Sequence, residues 1–235
     1  ALNRRKLGRR GLIVGLGATA LASIAPLRAW PQPMRRKRRI GVLTWWPEDD
    51  PAGRTQTAAL AEGLAALGWV EGNNIQLDYR RGSGEPGRMG WLAKDLVAQR
   101  PDLLMGVATP AVTALLAETE TIPIVFTEVS DPVGTGFVDS VAHPGRNATG
   151  FVDIEASLAG KWVEMLRELV PSKTRVGFLF NPRTAPENGS YYMSTFQEAA
   201  RALAVEPVTA AVANPAELGA KVATLAAQGC GGLIL

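Results

Sequence analysis

DLLMGVATPAVTALLAETETIPIVFTEVSDP, residues 102–132, places a helical segment between two short apolar runs. DLLMGVA (102–108) reads as a strand, PAVTALLAET (110–119) as a helix, and IPIVFTE (122–128) as the next strand. Strand, helix, strand at this spacing is the signature of a parallel sheet with covering helices. The second run ends abruptly in Thr127, Glu128, Ser130 and Asp131, followed by Pro132 and the glycines Gly134 and Gly136. A buried strand that spills into hydroxyls and carboxylates predicts that something is held at the strand's end.

The pattern extends in both directions. Upstream, RRIGVLT (38–44) and NIQLDYR (74–80) read as strands. TQTAALAEGLAALGW (55–69) and GRMGWLAKDLVAQR (87–100) carry apolar residues at helical spacing, stopped by Gly68 and Pro101. Downstream, HPGRNATGFVDI (143–154) reads as loop residues and then a short apolar crossing, as a hinge needs. After SLAGKWVEMLRELV (157–170) the pattern restarts with TRVGFLFN (174–181), YYMSTFQEAARALAV (191–205), VEPVTAAV (205–212), PAELGAKVATLAAQG (215–229) and GGLIL (231–235). The expected architecture is therefore α/β, with two Rossmann-like lobes of parallel sheet flanked by helices. The N-terminal lobe takes residues 38–147, the hinge crossing 148–155 and the C-terminal lobe 156–235. An open α/β lobe normally has four or more strands, so a second lobe that stops in its third strand is expected to be incomplete, loosely held and a weak binder.

The net charge of +3 conceals an asymmetry. Residues 1–39 hold eleven Lys or Arg and no Asp or Glu, which leaves the remainder with fourteen basic and twenty-two acidic side chains. No basic stripe with interleaved aromatics follows, so nucleic-acid binding is set aside. Arg4-Arg5-Lys6 and Arg9-Arg10 precede the uncharged run Gly11–Leu27, and Arg28-Ala29 follows. A basic start, a short apolar middle and a small exit residue describe an export signal over residues 1–29, cleaved after Ala29. Arg9-Arg10-Gly11-Leu12-Ile13 resembles a twin-arginine signal, and residues 30–37 become a basic flexible segment. The competing reading is an uncleaved anchor, for which the run is short.

Cys230 is alone, so the chain has no internal disulfide framework. His143 is the single histidine, sits in the turn-like stretch AHPGRN and has no G-x-S-x-G elbow to serve. Glu48-Asp49-Asp50 lacks metal-ligand spacing and reads as a solvated loop. Gly134-x-Gly136 lacks the third glycine of a dinucleotide loop. No cofactor, metal or catalytic residue is assigned.

Ligands of parallel α/β sheets bind beyond the carboxyl ends of strands, where loops converge with helix N-termini. That rule selects Thr44-Trp45-Trp46, Ala108-Thr109-Pro110-Ala111, Glu128 to Pro132, and Asn181-Pro182-Arg183-Thr184. All four face one crevice between the lobes, suited to a small polar or zwitterionic solute. Thr109 and Ser130 read equally well as helix caps, and Asp131-Pro132 as a turn.

RRIGVLT, GLAALGWVEGNNIQLDYR, ATPA, IPIVFTEVSDPVGTGFV, NATGF, GKWVEML and FNPRTAP, in this order, resemble the periplasmic substrate-binding proteins of ABC importers in the ABC_sub_bind, tryptophan-binding-like family. The resemblance runs from about Arg38 to Leu235 and is most specific at SDPVG and FNP-x-TAP. It implies a monomer of two lobes closing on a small-molecule solute, amino acids among the candidates, and delivering it to a membrane permease. Carried over by motif, the ligand contacts fall on Thr109, Pro110 and Ala111, on Ser130 and Asp131, and on Asn181. Thr44 and Trp45 join them from the loop after the first strand, where two adjacent tryptophans depart from the family's pattern. Two other classes stay open: the ligand-sensing domain of a receptor or regulator, and an α/β enzyme using Glu128 and Asp131 as an acid–base pair.

Overall fold

A computed structural model describes residues 36–172 and 174–235. The expected export signal, and the basic segment apart from Arg36 and Lys37, lie outside the described residues.

The first sheet is parallel, in the order β2-β1-β3-β4-β5. Its strands are β1 (Arg38–Thr44), β2 (Ile75–Arg81), β3 (Leu103–Val107), β4 (Ile124–Val129) and β5 (Ala148–Val152). Three helices connect them: α1 (Pro51–Ala66), α2 (Pro86–Ala98) and α3 (Thr109–Glu118). One face of this sheet carries Leu43, Leu104, Ile124 and Phe126, which are buried against Leu92 and Leu96 of α2 and Val112 and Leu115 of α3. Gly106 of β3 lets α3 approach closely, since a Cβ there would lie 2.8 Å from Val112 Cγ2.

The second sheet is also parallel, in the order β7-β6-β8. It comprises β6 (Arg175–Phe180), β7 (Glu206–Ala211) and β8 (Gly232–Ile234), with helices α4 (Ser157–Leu169), α5 (Ser190–Ala202) and α6 (Leu218–Ala227). Its core is separate: Val176 and Phe178 of β6 pack with Val163 of α4 and Tyr192 and Phe196 of α5. Phe178 and Phe196 are tilted, 5.1 Å between ring centres.

Two differences from the reading of the sequence bear on the site. Helix α1 begins four residues earlier than expected. Asp50 caps it, its carboxylate accepting from the Gly53 N–H at 2.7 Å, and Pro51 supplies a first residue already set for helix. The apolar crossing expected over 148–155 is, for residues 148–152, strand β5, paired with β4 through Ile124–Ala148 and Phe126–Gly150. Its side chains alternate only weakly, so the sequence pattern is faint. Gly150 makes the pairing possible, because a Cβ there would meet the Phe126 carbonyl at 2.2 Å.

Candidate functional site

The carboxyl ends of β1, β3, β4 and β6 converge on a cleft of about 620 Å³. The first lobe contributes Trp46, Ala108, Glu128 and Ser130, and the second Phe180, Asn181, Thr184 and Tyr192. A second opening of about 650 Å³ continues outward past Trp45, Trp46, Asn181 and Arg183.

Strand β4 is the most unusual wall. Its register with β5 shifts between Phe126 and Val129, and Glu128 takes a left-handed backbone conformation, φ 57°. Such a conformation costs a non-glycine residue about 1–3 kcal/mol and is found where a site requires it. The Glu128 carboxylate accepts a hydrogen bond from the Trp46 indole N–H at 3.0 Å and a short one from the Gln56 amide. Ala108, at the end of β3, is left-handed as well, φ 74°.

Ser130 follows, buried, its hydroxyl donating to Asp153 Oδ1 at 3.0 Å. The same Asp153 oxygen accepts from the Ile154 N–H at 2.7 Å. The Tyr191 hydroxyl of α5 donates to the Ser130 carbonyl at 3.2 Å and so ties the second lobe to the first. Burial pushes the Tyr191 and Tyr192 hydroxyls above the usual tyrosine range, and the neighbouring carboxylates Asp153 and Asp131 push the same way.

Of the residues expected to touch a ligand, Ser130 and Asn181 line the cleft and Trp45 lines its outer opening. The Asn181 side-chain carbonyl accepts from the Arg183 N–H at 2.9 Å, and its amide donates to no group among the described residues. Trp45 is otherwise part of the first core, 4 % exposed. Its neighbour Trp46 reaches Glu128, as adjacent residues leaving a strand point to opposite sides.

The remaining expectations fall elsewhere. Thr44 lines a cavity of about 300 Å³ beneath α1, its hydroxyl donating to the Trp46 carbonyl at 3.3 Å. Ala111 is fully buried in the core, and its N–H donates to the Ala108 carbonyl at 3.0 Å. Thr109 and Pro110 begin α3 outside the cleft lining, where Ala108 stands in their place. Asp131 closes the turn that follows β4, accepting from the Gly134 N–H at 2.8 Å, and does not line the cleft. Glu128 and Asp131 thus accept from separate donors, Glu128 from Trp46 and Gln56 and Asp131 from the Gly134 N–H.

Sequence reasoning passed over Asp153, Trp162, Phe180 and Tyr192, all in the cleft wall. Trp46 belongs to the expected edge Thr44-Trp45-Trp46, but it is Trp46 and not Trp45 that enters the cleft. Asp153 becomes visible only once β5 is known to end beside β4. Among the described residues no group of three His, Cys, Asp or Glu side chains is placed to hold a metal ion.

Two parallel α/β lobes with a cleft at their strands' carboxyl ends define the architecture of periplasmic binding proteins. Comparison with known proteins gives the family. Residues 47–235 match the family model "ABC transporter substrate binding protein", and the chain belongs to that family. A tyrosine-binding protein of Clostridioides difficile (strain R20291) is 26% identical over 193 residues, covering 81% of this chain and 54% of that protein. Among solved structures, a conserved domain protein from Vibrio cholerae is 31% identical with a TM-score of 0.75, covering 83% of this chain and 64% of that one. The ABC domain from Streptococcus pneumonia, solved in complex with L-Trp, is 26% identical with a TM-score of 0.73, covering 82% and 63%. The chain therefore spans a little over half the length of its curated relative and just under two thirds of these solved ones.

Proposed function

We propose that this chain is the solute-binding component of an ABC importer, working outside the cytoplasm and holding a small polar or zwitterionic solute between its lobes. One observation carries this reading: a cleft of about 620 Å³, close to the volume of small-ligand sites, whose walls come from strand ends of both lobes. Family membership and the amino-acid ligands of two relatives support it. In this reading the protein binds without chemical conversion, as a monomer, and passes its solute to a membrane permease. It has no nucleic-acid partner. Arg9-Arg10 and the run Gly11–Leu27 support export to the periplasm, with cleavage after Ala29. Ser130 and Asn181 act as ligand contacts, and Thr109, Pro110 and Asp131 act through the turns and backbone they set.

The test is a thermal-shift screen of the full chain against amino acids, amines and sugars, followed by calorimetry. One solute should bind at one site and be recovered unchanged. Chemical conversion of that solute, or failure of every class to bind, overturns the reading.

A further inference from the structure

The cleft's charge points to a class of ligand. Among the described residues its lining contains two ionisable carboxylates, Glu128 and Asp153, and no lysine, arginine or histidine, while Arg183 lines the outer opening. Both carboxylates are positioned, and neither is neutralised. Glu128 is held by the neutral donors Trp46 and Gln56, and Asp153 by the neutral donors Ser130 and the Ile154 N–H. Neither takes part in an ion pair among the described residues. An ionised carboxylate accepts about four hydrogen bonds, so each keeps accepting capacity for a ligand. Asp153 uses one oxygen for both of its bonds. A negative cleft repels anions and strengthens charge-assisted bonds to a bound cation.

The rest of the wall fits the same ligand. Trp46, Trp162, Phe180 and Tyr192 line the same cleft. Aromatic faces carry negative potential and attract ammonium and guanidinium groups, by about 0.5–2 kcal/mol each, while their area accepts an apolar body. Glu128 itself sits in a left-handed backbone conformation, φ 57°, of the kind that clusters at ligand sites.

On the solute-binding reading, we propose that Glu128 and Asp153 select the positively charged head of the ligand. The cleft then takes an organic ammonium with an apolar or aromatic body, and a carboxylate on that ligand is dispensable. Glu128 is the specificity-determining residue.

Calorimetry on the full chain with matched probes tests this: tyramine, L-tyrosine and 3-(4-hydroxyphenyl)propionate, and the corresponding tryptamine, L-tryptophan and indole-3-propionate. In at least one series the amine should bind at least as tightly as the amino acid, and the acid ten-fold or more weaker. Glu128→Gln, which keeps an acceptor for Trp46, should weaken the amine ten-fold or more, about 1.4 kcal/mol, without weakening the acid. Equal binding of acid and amine overturns the proposal, as does an unchanged amine affinity in Glu128→Gln with folding verified by circular dichroism. Binding of anionic or neutral solutes in place of every amine overturns the charge selection and leaves the solute-binding reading standing. Failure of all classes to bind overturns both.

Discussion

Single hydroxyls in this fold have separable jobs. The Tyr191 hydroxyl bridges α5 to the carbonyl of Ser130, and loss of one such bond costs about 0.5–1.5 kcal/mol. Tyr191→Phe should lower stability by that amount in urea denaturation and also weaken ligand binding, because the bond spans the two lobes. A stability loss with unaltered affinity would assign the bond to packing alone. Tyr79 behaves in the opposite way. Its hydroxyl is buried in the cavity beneath α1 with no partner among the described residues, while Arg81 covers its ring at 5.2 Å. A buried, unbonded hydroxyl opposes folding, so Tyr79→Phe should be neutral or stabilising by up to about 1 kcal/mol. A clear loss of stability would mean that a buried water bonds the hydroxyl. Neither role can be read from the sequence, where Tyr79 and Tyr191 are simply apolar positions in a strand and a helix.

At the scale of elements, the helices are held very unequally. Helix α3 buries Ala111, Val112 and Leu115 completely, whereas α1 has no fully buried residue and rides over a cavity. Its Asp50 cap should matter more for that reason. Asp50→Ala should cost about 0.5–2 kcal/mol, and amide exchange should accelerate in 51–66 well before 109–118. Uniform exchange across both helices would show that α1 is anchored as firmly as α3. Strand β5 depends on a single glycine: a Cβ at Gly150 meets the backbone of Phe126, which has no soft rotamer to move aside. Gly150→Ala should therefore destabilise by about 1–3 kcal/mol, measured by chemical denaturation. Strands β1 to β4 and β6 to β8 were legible because continuous apolar runs between helical spacings leave few other readings. Strand β5 was not. Its five residues expose Phe151 and hide only Ala148 fully, so hydrophobic patterning carries little signal there.

Across the whole molecule, the first strand is tied to the rest of its lobe by charge. Asp102 accepts from the Arg39 N–H and from the guanidinium groups of Arg36 and Arg38, each at 2.9 Å. The Arg39 N–H is the main cause, and with the two arginines it outweighs burial, holding the Asp102 carboxyl down from 3.8 to about 2. A depressed carboxyl pKa stabilises the fold above the unfolded value, and that stability is lost as pH falls through the folded one. The difference between the parent protein and Asp102→Asn should thus be full at neutral pH and shrink between about pH 4 and pH 2 in acid-unfolding curves. A gap that persists unchanged below pH 2 would exclude this origin.

Taken alone, the sequence determined the succession of elements, the parallel sheets, the two α/β lobes and the strand ends that border the cleft. Those features follow from local rules, namely apolar period, helix stops and the convergence of loops at carboxyl edges. Which side chains enter the cleft was decided only in three dimensions. The motif ATPA looked like a contact, yet packing of α3 against β3 consumes Ala111, and SDP turns Asp131 away onto Gly134. Glu128 enters because β4 shifts register and reverses its φ, and Asp153 because β5 pairs beside it. Such orientations depend on contacts between residues distant in the chain, which no local pattern encodes.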